Sequence, residues 1–281
     1  MASLDQKAAF DTVRFRALFL KLGRLGLTGQ FLRLVMSLYD NLKSVVRTSG
    51  STSAPIMVKR SVRQGGVLST FLYLVYVNDL LNEIQNSGCG TKVMSICCGN
   101  PTFADDISLL ALTPWHLQKM VDIVFRYCKQ WNVSINVEKS SVTVFTKSRS
   151  QPSVDIMYGD RPIKKTDSFI HLGIFYSYNV KNSDKINQRL QKAKNALFSL
   201  SAQGVHAQGV NPLVFGDLYS KIIMPIALYD SALWRNLTQT NISAISRFQH
   251  YAVKRIQGLP ITTCSDMAES MVGMHRLISK I

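Results

Sequence analysis

Apolar residues recur at helical spacing over most of the chain and switch to alternation in a middle stretch. Residues 12 to 42 predict two amphipathic helices broken at Gly23 to Gly29, the second carrying Phe31, Leu34, Val35, Leu38 and Leu42 on one stripe. Ser69 is suited to cap a helix bearing Phe71, Leu72, Val75 and Tyr76, which runs to about Ile84 before Asn86-Ser87-Gly88 ends it. Residues 92 to 98 and 103 to 112 are β-rich and flank Gly99-Asn100-Pro101, so they predict strands paired around that turn. Leu117, Met120, Val121, Val124, Phe125, Cys128 and Trp131 mark a strong helix. Val133, Ile135 and Val137 then alternate with polar residues, and Val142 and Val144 repeat the alternation, predicting a strand pair. From about 180 onward the pattern is helical, with Ile186, Leu190, Ala193 and Leu197 on one face. The expected architecture is α+β over 1–180 and helical over 181–281, with the boundary near 178 to 183.

Composition makes this a packed chain. Of 281 residues 46% are apolar and only 18% charged, which excludes intrinsic disorder. Charge then narrows the partners: 33 Lys and Arg against 17 Asp and Glu leave +16, a field that attracts polyanions such as nucleic acid or an anionic membrane. The dense apolar run Phe71 to Val77 is broken by Asn78-Asp79, far short of the roughly 20 residues that span a bilayer. Asp5 and Asp11 near the start fit neither a signal nor a transit peptide, so no membrane association is expected and the location is intracellular, nuclear or cytoplasmic. The five cysteines are odd in number and form no Cys-x-x-Cys pair, which argues against a zinc knuckle, a disulfide framework or a disulfide-linked partner. The histidines, His275 among them, have no metal-site spacing and read as surface or packing residues.

Residues 1 to 63 hold 11 basic residues against 3 acids, and residues 161 to 194 hold 8 against 2. In the second segment Lys185, Arg189 and Lys192 stand at i, i+4 and i+7. That face could follow a phosphate backbone, or be a solvated helix side.

In so basic a chain, Asp105-Asp106 is the only adjacent pair of aspartates. Two like charges side by side cost energy unless a cation offsets them. The pair lies between the short apolar stretches Thr102-Phe103-Ala104 and Ile107 to Leu112, where turn chemistry is one explanation and a divalent metal another. A second acidic site, Leu4-Asp5-Gln6-Lys7-Ala8-Ala9-Phe10-Asp11, makes a shared oxygen-ligand cage conceivable.

These segments, together with Val62-Arg63-Gln64-Gly65-Gly66-Val67-Leu68-Ser69, Asn136-Val137-Glu138-Lys139-Ser140 and His171-Leu172-Gly173-Ile174, follow the order of motifs in a known family. The chain resembles the reverse transcriptase of non-LTR (LINE-type) retrotransposons over nearly its whole length, most specifically from Leu4 to Gly173. The resemblance implies a right-hand polymerase palm, an antiparallel sheet backed by helices, followed by a helical thumb-like region. It implies that Asp5, Asp105 and Asp106 hold two Mg²⁺ ions, with Asp105 the primary ligand of the pair. It places Phe10 beneath the incoming sugar, Arg63, Gln64 and Gly65 against nucleotide and template, and Lys139 as the proton donor to the pyrophosphate leaving group. His171, Leu172 and Gly173 become the primer grip, with Gly173 the informative residue, and Lys185, Arg189 and Lys192 backbone contacts.

The implied partners are an RNA template, a DNA primer and deoxynucleoside triphosphates. Met1 stands four residues before Asp5, which leaves Ala2, Ser3 and Leu4 for the strand that carries it. A fingers region is expected upstream of this point, making the chain an internal piece of a larger polyprotein. The alternative is a catalytically silent nucleic-acid-binding remnant of a decayed element.

Overall fold

The computed structural model describes residues 1–146, 153–177, 182–234, 236–273 and 277. His275 lies outside them. The chain divides into two compact units, Met1–Tyr178 and Asn179–Ile281.

In the first unit β1 (Ala2–Gln6) leads through the single turn α1 (Ala9–Thr12) into α2 (Phe15–Arg24) and α3 (Gly29–Tyr39). The two-residue strands β2 (Lys43–Ser44), β3 (Arg47–Thr48), β4 (Ser51–Thr52) and β5 (Ile56–Met57) precede the long α4 (Ser69–Asn86). Next come β6 (Lys92–Val93), β7 (Ile96–Cys97), β8 (Thr102–Phe103), β9 (Asp106–Leu109) and α5 (Pro114–Trp131). The unit closes with β10 (Ile135–Val142), β11 (Met157–Tyr158), β12 (Arg161–Pro162), β13 (Lys164–Lys165), β14 (Ser168–His171) and β15 (Ile174–Ser177).

Its main sheet has the order β13-β10-β1-β9-β8, so five residues near the start of the chain suffice for the central strand. Alternation gives that strand two unlike faces. Ala2 and Leu4 pair with Leu109 and Ile107, and all four are buried in a core shared with α2, α4 and α5. On the other face Ser3 and Asp5 pair with Ser108 and Asp106. This is the α+β arrangement expected, a largely antiparallel sheet backed by helices.

Several local expectations change. Ser69 is the first residue of α4, whose N-cap is Leu68, and Phe71 projects outward. Residues 92 to 98 and 103 to 112 do not form one hairpin around Gly99-Asn100-Pro101. Each makes its own tight hairpin, β6 with β7 and β8 with β9, and single backbone bonds such as Thr91 N–H to Leu110 O (2.9 Å) tie the two together. The strand pair expected after α5 is a single strand, β10, whose second alternating stretch continues the first. On α3, Leu32, Val35 and Tyr39 meet the core, while Phe31, Leu34 and Leu38 of the expected stripe are exposed.

Lys21 is the most unusual core residue, 1% exposed among aromatic rings. Its ammonium donates to Tyr76 O (2.7 Å) and the Tyr127 hydroxyl (2.6 Å), lies 3.1 Å from Asp79 and sits 3.9 Å over the Trp131 ring. Burial lowers its pKa, against the raising pull of Asp79. One amphipathic side chain thereby joins α2, α4 and α5.

The second unit is helical: α6 (Asn182–Ala202), α7 (Pro212–Leu218), α8 (Met224–Ala227), α9 (Gln239–Gln257) and α10 (Ser265–Met271). A π-turn, Tyr219–Ile223, joins α7 to α8 just before Pro225, which has no N–H to continue an α-ladder. Ile186, Ala193 and Leu197 of α6 pack with Phe215, Ile223, Ile245 and Ile256 in a separate core. Among the described residues no helix is long and apolar enough to cross a membrane, and all five cysteines are free thiols.

Candidate active site

The polar face of the sheet carries the carboxylates. Asp5 pairs with Asp106 across the β1–β9 ladder, so the two side chains leave the same face from residues whose Cα atoms are about 5 Å apart. Asp105 sits in the turn itself. β8 and β9 meet at Phe103 and Asp106, leaving a two-residue loop in which Ala104 adopts φ +51°, the left-handed backbone that hairpin turns of this length need. In this register Asp106, rather than Asp105, faces Asp5.

The Asp106 carboxyl is raised above its ordinary range, first by burial, then by the charge of Asp105 and, less, by Asp5, with His171 opposing. Among the described residues no Lys or Arg forms an ion pair with any of the three. Nor, among those residues, do three or more His, Cys, Asp or Glu side chains form a closed metal cage. An ion of the Mg²⁺ type needs only one or two carboxylates when waters and substrate phosphates complete its shell, so this open, anionic edge fits such an ion.

Two serines that the sequence did not single out support the carboxylates. Opposite β1, β10 runs Asn136, Val137, Glu138, Lys139, Ser140, Ser141 while β1 advances only from Asp5 to Ser3, so three extra residues bulge out. Ser140, inside that bulge, accepts the Asp5 N–H at 3.2 Å and donates to Asn136 O at 2.8 Å. Lys139 stands exposed on the same bulge. Ser108, fully buried two residues after Asp106, has its hydroxyl 3.3 Å from His171 Nδ1. That contact gives His171 a defined place beside the carboxylates, although its neighbour Gly173 looked the more informative. Leu172 (φ +51°) and Gly173 (φ +74°) form the two-residue turn between β14 and β15. The signal available for Ser108 was its two-residue offset from Asp106; for Ser140 it was membership of the Asn136–Ser140 motif.

The Phe10 ring packs at a tilt, 5.0 Å between centroids, on Tyr73, whose hydroxyl donates to buried Gln6. Phe10 O also accepts from Val62 N (2.9 Å), which ties the Arg63-Gln64-Gly65 loop to α1, the turn that follows β1. Gly65 holds φ +78°, and a Cβ on Gly66 would stand 2.7 Å from Ser69 Oγ and 3.2 Å from Arg63 O. The Arg63 guanidinium itself reaches Leu38 O at 3.1 Å, at the end of α3.

The backbone-binding face of α6 needs correction. Arg189 is 8% exposed, its Nε lies 3.2 Å from buried Asp230, and its guanidinium covers Tyr229 at 4.7 Å. At 100° per residue it stands only about 70° from the centre of the apolar stripe, near enough to be drawn inside. Lys185 is half-buried and Lys192 exposed, so the three do not share an outer face.

The chain belongs to the reverse transcriptase (RNA-dependent DNA polymerase) family, whose sequence model matches residues 1–176. It is 24% identical to the RNA-directed DNA polymerase from mobile element jockey of Drosophila funebris, over 92% of this chain and 28% of that protein. The probable RNA-directed DNA polymerase from transposon BS of Drosophila melanogaster is 24% identical over 99% of this chain and 31% of its own length. A Pol polyprotein from the type-1 retrotransposable element R2 of Popillia japonica is 29% identical over 63% of this chain and 26% of its length. The chain thus spans about 28% of the length of the first of these relatives. A solved telomerase structure from Candida albicans aligns over 99% of this chain and 48% of that one at 12% identity, with a TM-score of 0.40. Members of the family use divalent metal ions.

Proposed function

We propose that this chain is the palm and thumb part of a non-LTR retrotransposon RNA-directed DNA polymerase, joining a deoxynucleotide to a DNA primer paired with an RNA template. The register carrying Asp5 opposite Asp106, with Asp105 one residue away and no Lys or Arg among the described residues paired to any of them, is the observation that supports it most.

Asp5, Asp105 and Asp106 are the groups that would hold two Mg²⁺ ions. Bound there, the ions supply the charge neutralisation that attack of a 3′-hydroxyl on an α-phosphate requires. The protein's own part is positional. Ser140 fixes the backbone of Asp5, and the Ala104-Asp105 turn holds the other two acids at the end of a rigid ladder. Phe10, backed by Tyr73, would stand beneath the incoming sugar and exclude a ribose 2′-hydroxyl. Gln64 and Gly65, on a loop tied to Phe10 by the Val62 N–H, would contact the template base and the nucleotide. Lys139 can deliver a proton to the departing pyrophosphate, and the His171-Leu172-Gly173 turn, held by Ser108, can press on the primer end.

Primer extension on poly-rA with oligo-dT, dTTP and Mg²⁺ tests the reading. The expected result is extension by the chain and none by Asp105→Asn; equal extension by both overturns it, as does silence of the wild-type chain.

A further inference from the structure

Two non-glycine residues with positive φ bracket the turn that carries Phe10. Ala8, at +45°, opens α1, and Ser61, at +136°, belongs to the segment that runs alongside it. L side chains avoid both conformations, so each is imposed by its surroundings. Backbone groups stitch the Ser61 segment to α1 and the residues after it. Arg60 bridges Arg14, Ser61 N–H donates to Val13 O (2.9 Å), and Val62 N–H donates to Phe10 O (2.9 Å). Val13 and Val62 anchor the seam in the core, both fully buried.

One side-chain contact completes the seam. The Ser61 hydroxyl lies 3.2 Å from Asp11 Oδ1 and 3.0 Å from Val62 O, two acceptors for its one proton. Asp11 directly follows Phe10, and its own N–H donates to Ala8 O at 2.9 Å. Among the described residues no Lys or Arg forms an ion pair with its carboxylate. Beyond Ser61 the chain enters Arg63-Gln64-Gly65, which is braced from its other side. Arg63 holds Leu38 O at 3.1 Å, Gly66 N–H donates to Arg63 O at 3.1 Å, and Ser69 N–H donates to Gly66 O at 3.1 Å. A glycine would adopt the backbone of residue 61 freely, yet it has no hydroxyl to offer Asp11.

We propose that Asp11 and Ser61 are positioning residues whose contact sets the spacing between the Phe10 ring and the Arg63-Gln64-Gly65 loop. The two sides of the nucleotide site then move as one body. The inference rests on the polymerase reading above, which supplies the nucleotide. Asp11 acts through Phe10 and Ser61 through the loop. A widening of about 1 Å between them would weaken the hold on the triphosphate and relax the exclusion of ribose together.

The test is steady-state primer extension on poly-rA with oligo-dT, Mg²⁺ and either dTTP or rUTP, alongside thermal melting. Ser61→Gly separates a conformational role from a positioning one, because it relieves the backbone while removing the hydroxyl. It should melt no lower than the parent, raise KM for dTTP about tenfold with kcat within about twofold, and lower the preference for dTTP over rUTP about tenfold. Asp11→Ala should match it in KM and preference. Asp11→Asn, whose amide oxygen still accepts the serine proton, should return both quantities to within about twofold of the parent. Asp11→Ala/Ser61→Gly should be no worse than either single variant, since both remove the same contact. Amide hydrogen exchange gives a readout independent of turnover: residues 61–66 should exchange faster in Asp11→Ala while α5 exchanges as in the parent. Unaltered KM and dTTP preference in a folded Ser61→Gly chain overturn the proposal, as do additive losses in the double variant or equal protection over 61–66. An active parent with unaltered variants defeats this proposal alone, whereas a silent parent defeats the polymerase reading and this proposal with it.

Discussion

Lys21 and the Asp5–Asp105–Asp106 cluster are two concentrations of charge in the first unit, and their surroundings are opposite. The lysine has a carbonyl, a hydroxyl, a carboxylate and an indole face within reach, and it is sealed among them. The carboxylates have one another, a histidine nearby, and no Lys or Arg among the described residues. A charge whose partners are complete holds helices together, whereas charges left to repel are held by the fold for something that arrives later.

Substitutions can break that contrast, and the largest effects belong on the acidic side. Asp5→Asn or Asp106→Asn should lower primer extension by at least about 10³-fold, roughly 4 kcal/mol of transition-state stabilisation, with no loss of melting temperature. Lys21→Met should do the reverse. It should cost about 2–3 kcal/mol in urea unfolding while leaving kcat of the folded fraction unaltered, because Asp79 and the Tyr76 carbonyl lose a buried cation. Equal damage to activity and stability from either substitution would erase the distinction.

Smaller effects sharpen it. Ser140→Ala should reduce kcat about tenfold with KM nearly constant, since it loosens the backbone of Asp5 without touching substrate. A protonated Asp106 is favoured in the folded state, so its ionisation opposes folding increasingly as pH rises through the raised value. Asp106→Asn should therefore melt higher than the parent at pH 7.5 without divalent ions. The gain should vanish on acidification below about pH 4, where both folded and unfolded chains carry the proton. Millimolar Mg²⁺ should raise the parent's Tm and leave this variant's nearly unmoved. Least of all, Ala104→Gly relieves a left-handed non-glycine residue and should add up to about 1 kcal/mol by thermal unfolding.

What the sequence made legible was local. α5 could be read from its apolar period, and the Asp105 turn from two acids between short apolar stretches, because both depend on neighbours within a few residues. The two small hairpins at 92–109 could not be assigned that way, since the choice between one large pairing and two tight ones depends on backbone partners such as Thr91 and Leu110. Arg189 was misplaced for a related reason: its inward turn depends on Asp230, forty-one residues later. Ser140 was one member of a motif until the pairing of β1 with β10 showed which amide it holds.

The bulge in β10 also bears on how this chain can change over time. Pairing is anchored on both sides of it, at Asn136 with Asp5 and at Ser141 with Ser3, so the excess chain between them absorbs differences in length. A deletion or insertion at Val137 or Glu138 alters a loop and leaves every rung where it was. The same edit between Asp106 and Ile107 would turn β9 over and send Ile107 and Leu109 toward water. Within one sheet, then, one strand can drift in length while its neighbour cannot, and sequence divergence should gather on the first.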